Sequence, residues 1–277
     1  MKAVYIIAEI GINHQGSLEV AKRLIDAAKA CGADAVKFQK RTVETVYSAE
    51  ELAKPRESVF GGTNGDLKRG LEFSFDDYTE IDRYCRSVGI AWSGSAWDVA
   101  SVHFLASFGV PWLKVPSALV TDHEVLRAYR NTGIPIYLST GMSTLEECDA
   151  AVETLWPEKI AAVLHCHSSY PSPLDELNLA CIQSFKDRYD LPVGYSSHTV
   201  SPWPCLMAVC YGAEVVEAHL TLDRAMWGSD QAASLEPAAF GKLVEEIRTF
   251  ERAKGDGVKR VWPSEEVAKA KLRKVTA

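Results

Sequence analysis

The segments Ile134-Pro-Ile-Tyr-Leu-Ser139, Thr144-Leu-Glu-Glu-Cys-Asp-Ala-Ala-Val-Glu-Thr-Leu155 and Ala161-Ala-Val-Leu-His-Cys166 read as strand, helix, strand. The outer two are apolar nearly throughout, as strands buried on both faces require, and the middle one is amphipathic. Working outward, the same alternation repeats until eight strand candidates are found: Val4–Gly11, Ala35–Gln39, Ile90–Ser95, Trp112–Pro116, Ile134–Ser139, Ala161–Cys166, Leu191–Tyr195 and Glu214–His219. The helices expected between them are Leu18–Cys31, Phe75–Val88, Val99–Phe108, His123–Asn131, Thr144–Leu155, Glu176–Asp187, Pro204–Tyr211 and Pro237–Lys254. Ser143-Thr-Leu-Glu146 has the form of a capping box, and Asp98 and Asp122 are placed to cap the helices that follow them. Gly32, Gly89, Gly133 and Gly212 fall just past helix ends, where a left-handed residue is wanted.

Eight strand–helix units in strict alternation, with no sign of a reversal in strand order, predict an α/β fold, a single (β/α)8 TIM barrel. The chain has 277 residues, and such a barrel needs about 250. The expected barrel occupies residues 1–256 and a polar tail occupies 257–277. Residues 40–73 interrupt the rhythm as a long polar loop, the kind that serves as a lid or binding loop.

The net charge is −7 and no basic run occurs, which argues against a nucleic-acid partner. No window approaches the roughly 20 apolar residues of a membrane span. Strand-like sequence begins almost at Ala3, so no secretory leader is expected. The seven cysteines are scattered and never spaced as CxxC, as reduced core thiols would be. The expectation is a cytoplasmic enzyme.

Chemistry in such a barrel gathers at the C-terminal ends of the strands. Glu9 lies inside the first apolar run, where an unpaired carboxylate costs several kcal/mol, so it must meet a cation, a metal or strong donors. His14, in the loop that follows, either contacts a substrate or stabilises that loop. Lys37 and Lys114 sit in strands two and four, and with Ser95, Ser117, Ser139 and Thr140 they make a receptor for phosphate and carboxylate groups. Alternatively one lysine forms a Schiff base. His165 and Cys166 read as core side chains as readily as metal ligands. His198 and His219 stand at the ends of strands seven and eight, close enough to converge on one divalent ion.

Taken in order, Ala8-Glu-Ile-Gly-Ile-Asn-His-Gln-Gly16, Val36-Lys-Phe-Gln39, Leu113-Lys-Val-Pro-Ser117, Leu138-Ser-Thr-Gly-Met142, His165-Cys with Tyr170-Pro, Gly194-Tyr-Ser-Ser-His-Thr199, and Glu217-Ala-His-Leu-Thr-Leu-Asp223 with Gly228-Ser-Asp230 resemble the N-acetylneuraminate (sialic acid) synthase family. The resemblance implies a metal-dependent condensation of phosphoenolpyruvate with a sugar aldehyde, giving a nonulosonic acid and phosphate. It makes His198 and His219 the metal ligands, with Mn²⁺ as the expected ion. It assigns Lys37, Ser95, Lys114, Ser117, Ser139 and Tyr170 to the phosphoenolpyruvate site, and Gln39 and Asp230 to the sugar. Glu9 matches a carboxylate at the reacting centre, and a homodimer is implied.

The departures fall on the sugar side. Leu119 stands where the family often has an acidic residue, Ser197 where an Asp often precedes the metal histidine, and Ala218 where a basic residue is usual. Ser95-Ala-Trp-Asp98 replaces a Thr-Pro-Phe-Asp stretch, and His167 stands where Thr is usual. Many members continue into an antifreeze-like domain, whereas this sequence stops at Ala277. The expectation is an intact phosphoenolpyruvate half and an altered acceptor half. Two rivals remain: a 3-deoxy-octulosonate or heptulosonate phosphate synthase, whose second phosphate site Arg41, Lys54, Arg56, Lys68 and Arg69 would have to supply, and a non-catalytic sugar-binding barrel.

Overall fold

The computed structural model describes residues 3–155 and 160–273. Eight parallel strands close into a barrel: Tyr5–Gly11, Ala35–Lys40, Ala91–Ala96, Leu113–Val115, Ile136–Ser139, Ile160–Cys166, Val193–Ser197 and Val215–His219, here strands one to eight. Each pairs with its neighbour in sequence, and strand one closes the ring against strand eight. Eight helices cover the outside: Leu18–Ala30, Phe75–Val88, Val99–Ser107, His123–Asn131, Leu145–Leu155, Cys181–Arg188, Trp203–Cys210 and Pro237–Lys254. No helix among the described residues is long and apolar enough to cross a membrane.

Side-chain alternation divides the core in two. Outward residues such as Ile6, Ile10, Phe38 and Val216 meet the helices in the main cluster. Inward residues Ile7, Ala35, Trp112, Tyr137, Ala162, Leu164 and Val215 form a separate plug inside the barrel. Burying each large aliphatic side chain contributes about 1.5–3 kcal/mol. The plug also gives the polar layer above it a dry floor.

Two local expectations need correction, and two segments gain detail. The capping box begins one residue later: Glu147 Oε2 accepts from Thr144 N at 2.8 Å and Thr144 Oγ1 accepts from Glu147 N at 3.3 Å. The sixth helix starts at Cys181, because Asn178 takes φ 44° and separates it from the 3₁₀ turn Leu174–Glu176. The loop after strand two contains the short helices Val43–Val46, Ala49–Ala53 and Asn64–Gly70 and the antiparallel hairpin of Pro55–Ser58 with Gly61–Thr63. The tail contains the helix Glu266–Leu272, solvent-exposed along nearly its whole length.

Candidate active site

Above the apolar plug, strands one, two, four and eight send Glu9, Lys37, Lys114 and Glu217 inward, each almost fully buried. Lys37 Nζ lies 2.6 Å from Glu9 Oε2 and 3.8 Å from Glu217 Oε1. It donates to Ser95 Oγ at 2.7 Å. Lys114 Nζ donates to Glu217 Oε1 at 2.8 Å, and Ser196 Oγ donates to the same oxygen at 3.0 Å. Two ammonium groups therefore face two carboxyl groups. The carboxylates differ in character. Burial raises the pKa of Glu9 by more than Lys37 lowers it. Burial also opposes ionisation of Glu217, but Lys114 and then Lys37 hold it down to about 2. One carboxyl is biased toward holding a proton and its neighbour toward staying ionised, the division that acid–base chemistry uses.

Strands four to six supply small hydroxyls and bare backbone. Gly141 N donates to Ser117 Oγ at 2.9 Å. A Cβ on Gly141 would stand 2.2 Å from Ser168 Oγ and 3.0 Å from Ser117 Oγ, so no larger residue fits this approach. Among the described residues, Ser139 Oγ, Glu217 Oε2 and His219 Nδ1 are buried without a hydrogen-bond partner. Such atoms are costly unless something else meets them. All three residues line one cavity that opens at the strand ends.

Two imidazoles form the upper wall of this cavity. His198, just past strand seven, places Nδ1 2.6 Å from the carbonyl oxygen of His167. A carbonyl only accepts, so Nδ1 carries a hydrogen; in the neutral ring Nε2, here 2.7 Å from Tyr170 Oη, presents a lone pair. The His219 ring lies 5.3 Å from the His198 ring, and burial depresses its pKa to about 3, keeping it neutral. The Asp230 carboxylate is 4.0 Å from His219 Nδ1. Among the described residues no three His, Cys, Asp or Glu side chains form a metal-holding group. The donor set still fits a divalent cation, since two facing imidazoles include one buried nitrogen with no hydrogen-bond partner.

Glu9, Lys37, Gln39, Ser95, Lys114, Ser117, Ser139, Tyr170, His198 and His219 all line the cavity, while Asp230 stands outside its lining, behind His219. Three other histidines lie elsewhere. His14 stacks on Phe73 with ring centres 4.0 Å apart and accepts from Gly16 N at 3.0 Å, which makes it a loop support. His165 turns outward to the carbonyl oxygen of Leu177 at 2.7 Å, and His167 Nε2 lies 3.1 Å from Glu176 Oε2. Leu119, in the turn after strand four, packs against the main core. Sequence reasoning gave no role to Glu217, Ser196 or Trp97, which line the cavity together with Cys166. Glu217 was findable, because alternation puts it on the same strand face as His219.

The NeuB family model matches residues 24–259. The chain belongs to the NeuB family. This NeuB chain is 40% identical over 274 residues to N-acetylneuraminate-9-phosphate synthase of Homo sapiens, covering 98% of the chain and 76% of the relative. It is 36% identical over 279 residues to N,N'-diacetyllegionaminic acid synthase of Legionella pneumophila, covering 98% and 78%. The crystal structure of an N-acetylneuraminic acid (sialic acid) synthetase from Leptospira borgpetersenii superposes with a TM-score of 0.86 at 30% identity, covering 98% of the NeuB chain and 93% of that one.

Proposed function

We propose that the chain condenses phosphoenolpyruvate with a sugar aldehyde, giving a 3-deoxy-2-ulosonic acid of the nonulosonic class and phosphate. The observation that supports this most is the buried Glu9–Lys37–Glu217–Lys114 layer beneath two facing imidazoles, in a chain whose relatives are named as synthases of such acids.

Lys37 and Lys114, with the hydroxyls of Ser95, Ser117 and Ser139, bind the carboxylate and phosphate of phosphoenolpyruvate. The rigid wall at Gly141 and the apolar plug below orient it and keep bulk water from the floor. C3 bonds to the aldehyde carbon, water adds at C2, and the C2–O bond to phosphate breaks. Glu217 stays ionised and fixes Lys114. Glu9, with its raised pKa, handles a proton or positions the water. Tyr170 joins the phosphoenolpyruvate residues, Gln39 meets the acceptor, and Asp230 lies near it outside the cavity lining. His198 and His219 would hold a divalent metal, Mn²⁺ as the expected ion, which when bound supplies Lewis acidity toward the aldehyde oxygen. Seven free cysteines fit a reducing compartment such as the cytoplasm.

Arg56 and Lys68 line a second cavity beside Trp227–Ser229, an observation that favours an acceptor with its own phosphate. The test is incubation with Mn²⁺, phosphoenolpyruvate and a panel of aldoses, each with and without a terminal phosphate. Inorganic phosphate release that depends on one acceptor class is expected. Release with none of them would overturn the reading.

A further inference from the structure

Arg41 is a buried cation that the reaction scheme leaves unused. It lies one residue past strand two, and its guanidinium is held from four sides. Nε is 3.0 Å from Glu72 Oε1, Nη1 donates to Tyr47 Oη at 2.8 Å, and Nη2 donates to Gln39 Oε1. The fourth contact is the Trp97 ring, whose centre lies 4.7 Å from the guanidinium carbon. Gln39 and Trp97 line the active-site cavity, and Arg41 does not.

An amide side chain has two orientations of nearly the same shape, and its partners decide between them. A guanidinium has only donors, so it holds Gln39 with Oε1 turned toward Arg41. Gln39 Nε2 then donates to Glu9 Oε1 at 3.1 Å. The opposite orientation would set an amide oxygen against the Glu9 carboxylate and amide hydrogens against a cation. The Arg41 backbone is fixed as well, its N–H donating to Glu72 Oε2 at 3.2 Å, and Lys40 lies 3.3 Å from the same carboxylate oxygen. Glu72 thus clasps the start of the long loop to its end.

We propose that Arg41 is a positioning residue that sets the acceptor end of the pocket, locking the Gln39 amide so that its NH₂ faces Glu9 and the cavity, and bracing Trp97 as a wall. This rests on the proposed function for its substrate assignment. Gln39 and Trp97 stand at the ends of strands two and three, beside strand four and the Ser117 turn, and the resemblance assigns Gln39 to the sugar. The group recognised is an oxygen of the aldehyde acceptor that can accept from Gln39 Nε2.

The test compares full-length wild type, Arg41→Met, Arg41→Lys, Gln39→Ala and the double variant Arg41→Met/Gln39→Ala, with Mn²⁺ present and each substrate varied separately. Arg41→Met is expected to raise the acceptor KM about tenfold with the phosphoenolpyruvate KM nearly unchanged. Arg41→Lys should not restore it, because an ammonium lacks the planar fork that reaches Glu72 and Gln39 together. In the Gln39→Ala background the Arg41 substitution should add little. Equal changes in both KM values, or additive effects in the double variant, would overturn the inference. A second readout needs no turnover: the side-chain amide proton signals of Gln39, assigned by their loss in Gln39→Ala, should shift in Arg41→Met. Unchanged signals would sink the positioning role alone, whereas wild type that releases no phosphate with any acceptor would sink the functional reading alone.

Discussion

Glu217 lies buried between two ammonium groups, and its charge is what allows both to remain there. Glu217→Gln leaves Lys114 without its counter-charge, and breaking a buried pair in this way costs about 3–5 kcal/mol. Urea unfolding should show that loss, and phosphate release should fall at least about a hundredfold. A second residue-scale effect concerns acid. Burial depresses the His14 pKa from 6.5 to about 3. Below pH 6.5 the unfolded chain takes up a proton that the folded chain refuses. Stability from His14 is therefore complete above pH 6.5 and is lost as pH falls toward 3, with a slope of up to ~1.4 kcal/mol per pH unit. His14→Phe keeps an aromatic ring against Phe73. Its unfolding free energy, measured without metal, should decline less between pH 7 and pH 5 than that of wild type.

At the scale of elements, Asp98 joins a helix to a loop. It accepts from Ser101 N at 2.8 Å as the cap of Val99–Ser107, and from Thr42 N at 2.6 Å where the long loop leaves strand two. Asp98→Ala should cost about 2 kcal/mol, the upper end for a lost cap, because it also frees the loop. Thermal unfolding followed by circular dichroism would measure it, and a change near zero would contradict the clamp. The eight strands were legible because parallel strands buried on both faces must be apolar runs, and Val215-Val216 or Ala162-Val163-Leu164 leave little choice. The interior of the 40–73 loop was not. Its pieces are too short for periodicity, and their caps, Ser48 to Glu51 N and Thr63 with Asp66, sit in sequence that reads simply as polar. Lys37, Lys114, His198 and His219 stood out because each is out of place at a strand or its end. Arg41 was weighed only with the loop's other basic residues as a second phosphate site, since its burial shows only once Trp97 and Glu72 are seen to enclose it.

At the scale of the whole molecule, the active site brings together both ends of the barrel, with Glu9 in register with His219. A cation bridging His198 and His219 would tie strands seven and eight together, so ligand binding should stabilise the fold by mass action, about 2.7 kcal/mol at a hundred times Kd. Chelator treatment should abolish phosphate release and lower the unfolding midpoint, and added Mn²⁺ should restore both. A protein indifferent to chelators would exclude the imidazole pair as a metal site. The pairing of strand one with strand eight also bears on biosynthesis. A ribosome delivers Tyr5–Gly11 long before Val215–His219, so until strand eight is made the growing sheet has two bare edges, each able to recruit another nascent polypeptide. Fragments ending before Val215 should accordingly sediment as aggregates unless a chaperone covers those edges, while chains extended through Lys254 remain in the supernatant.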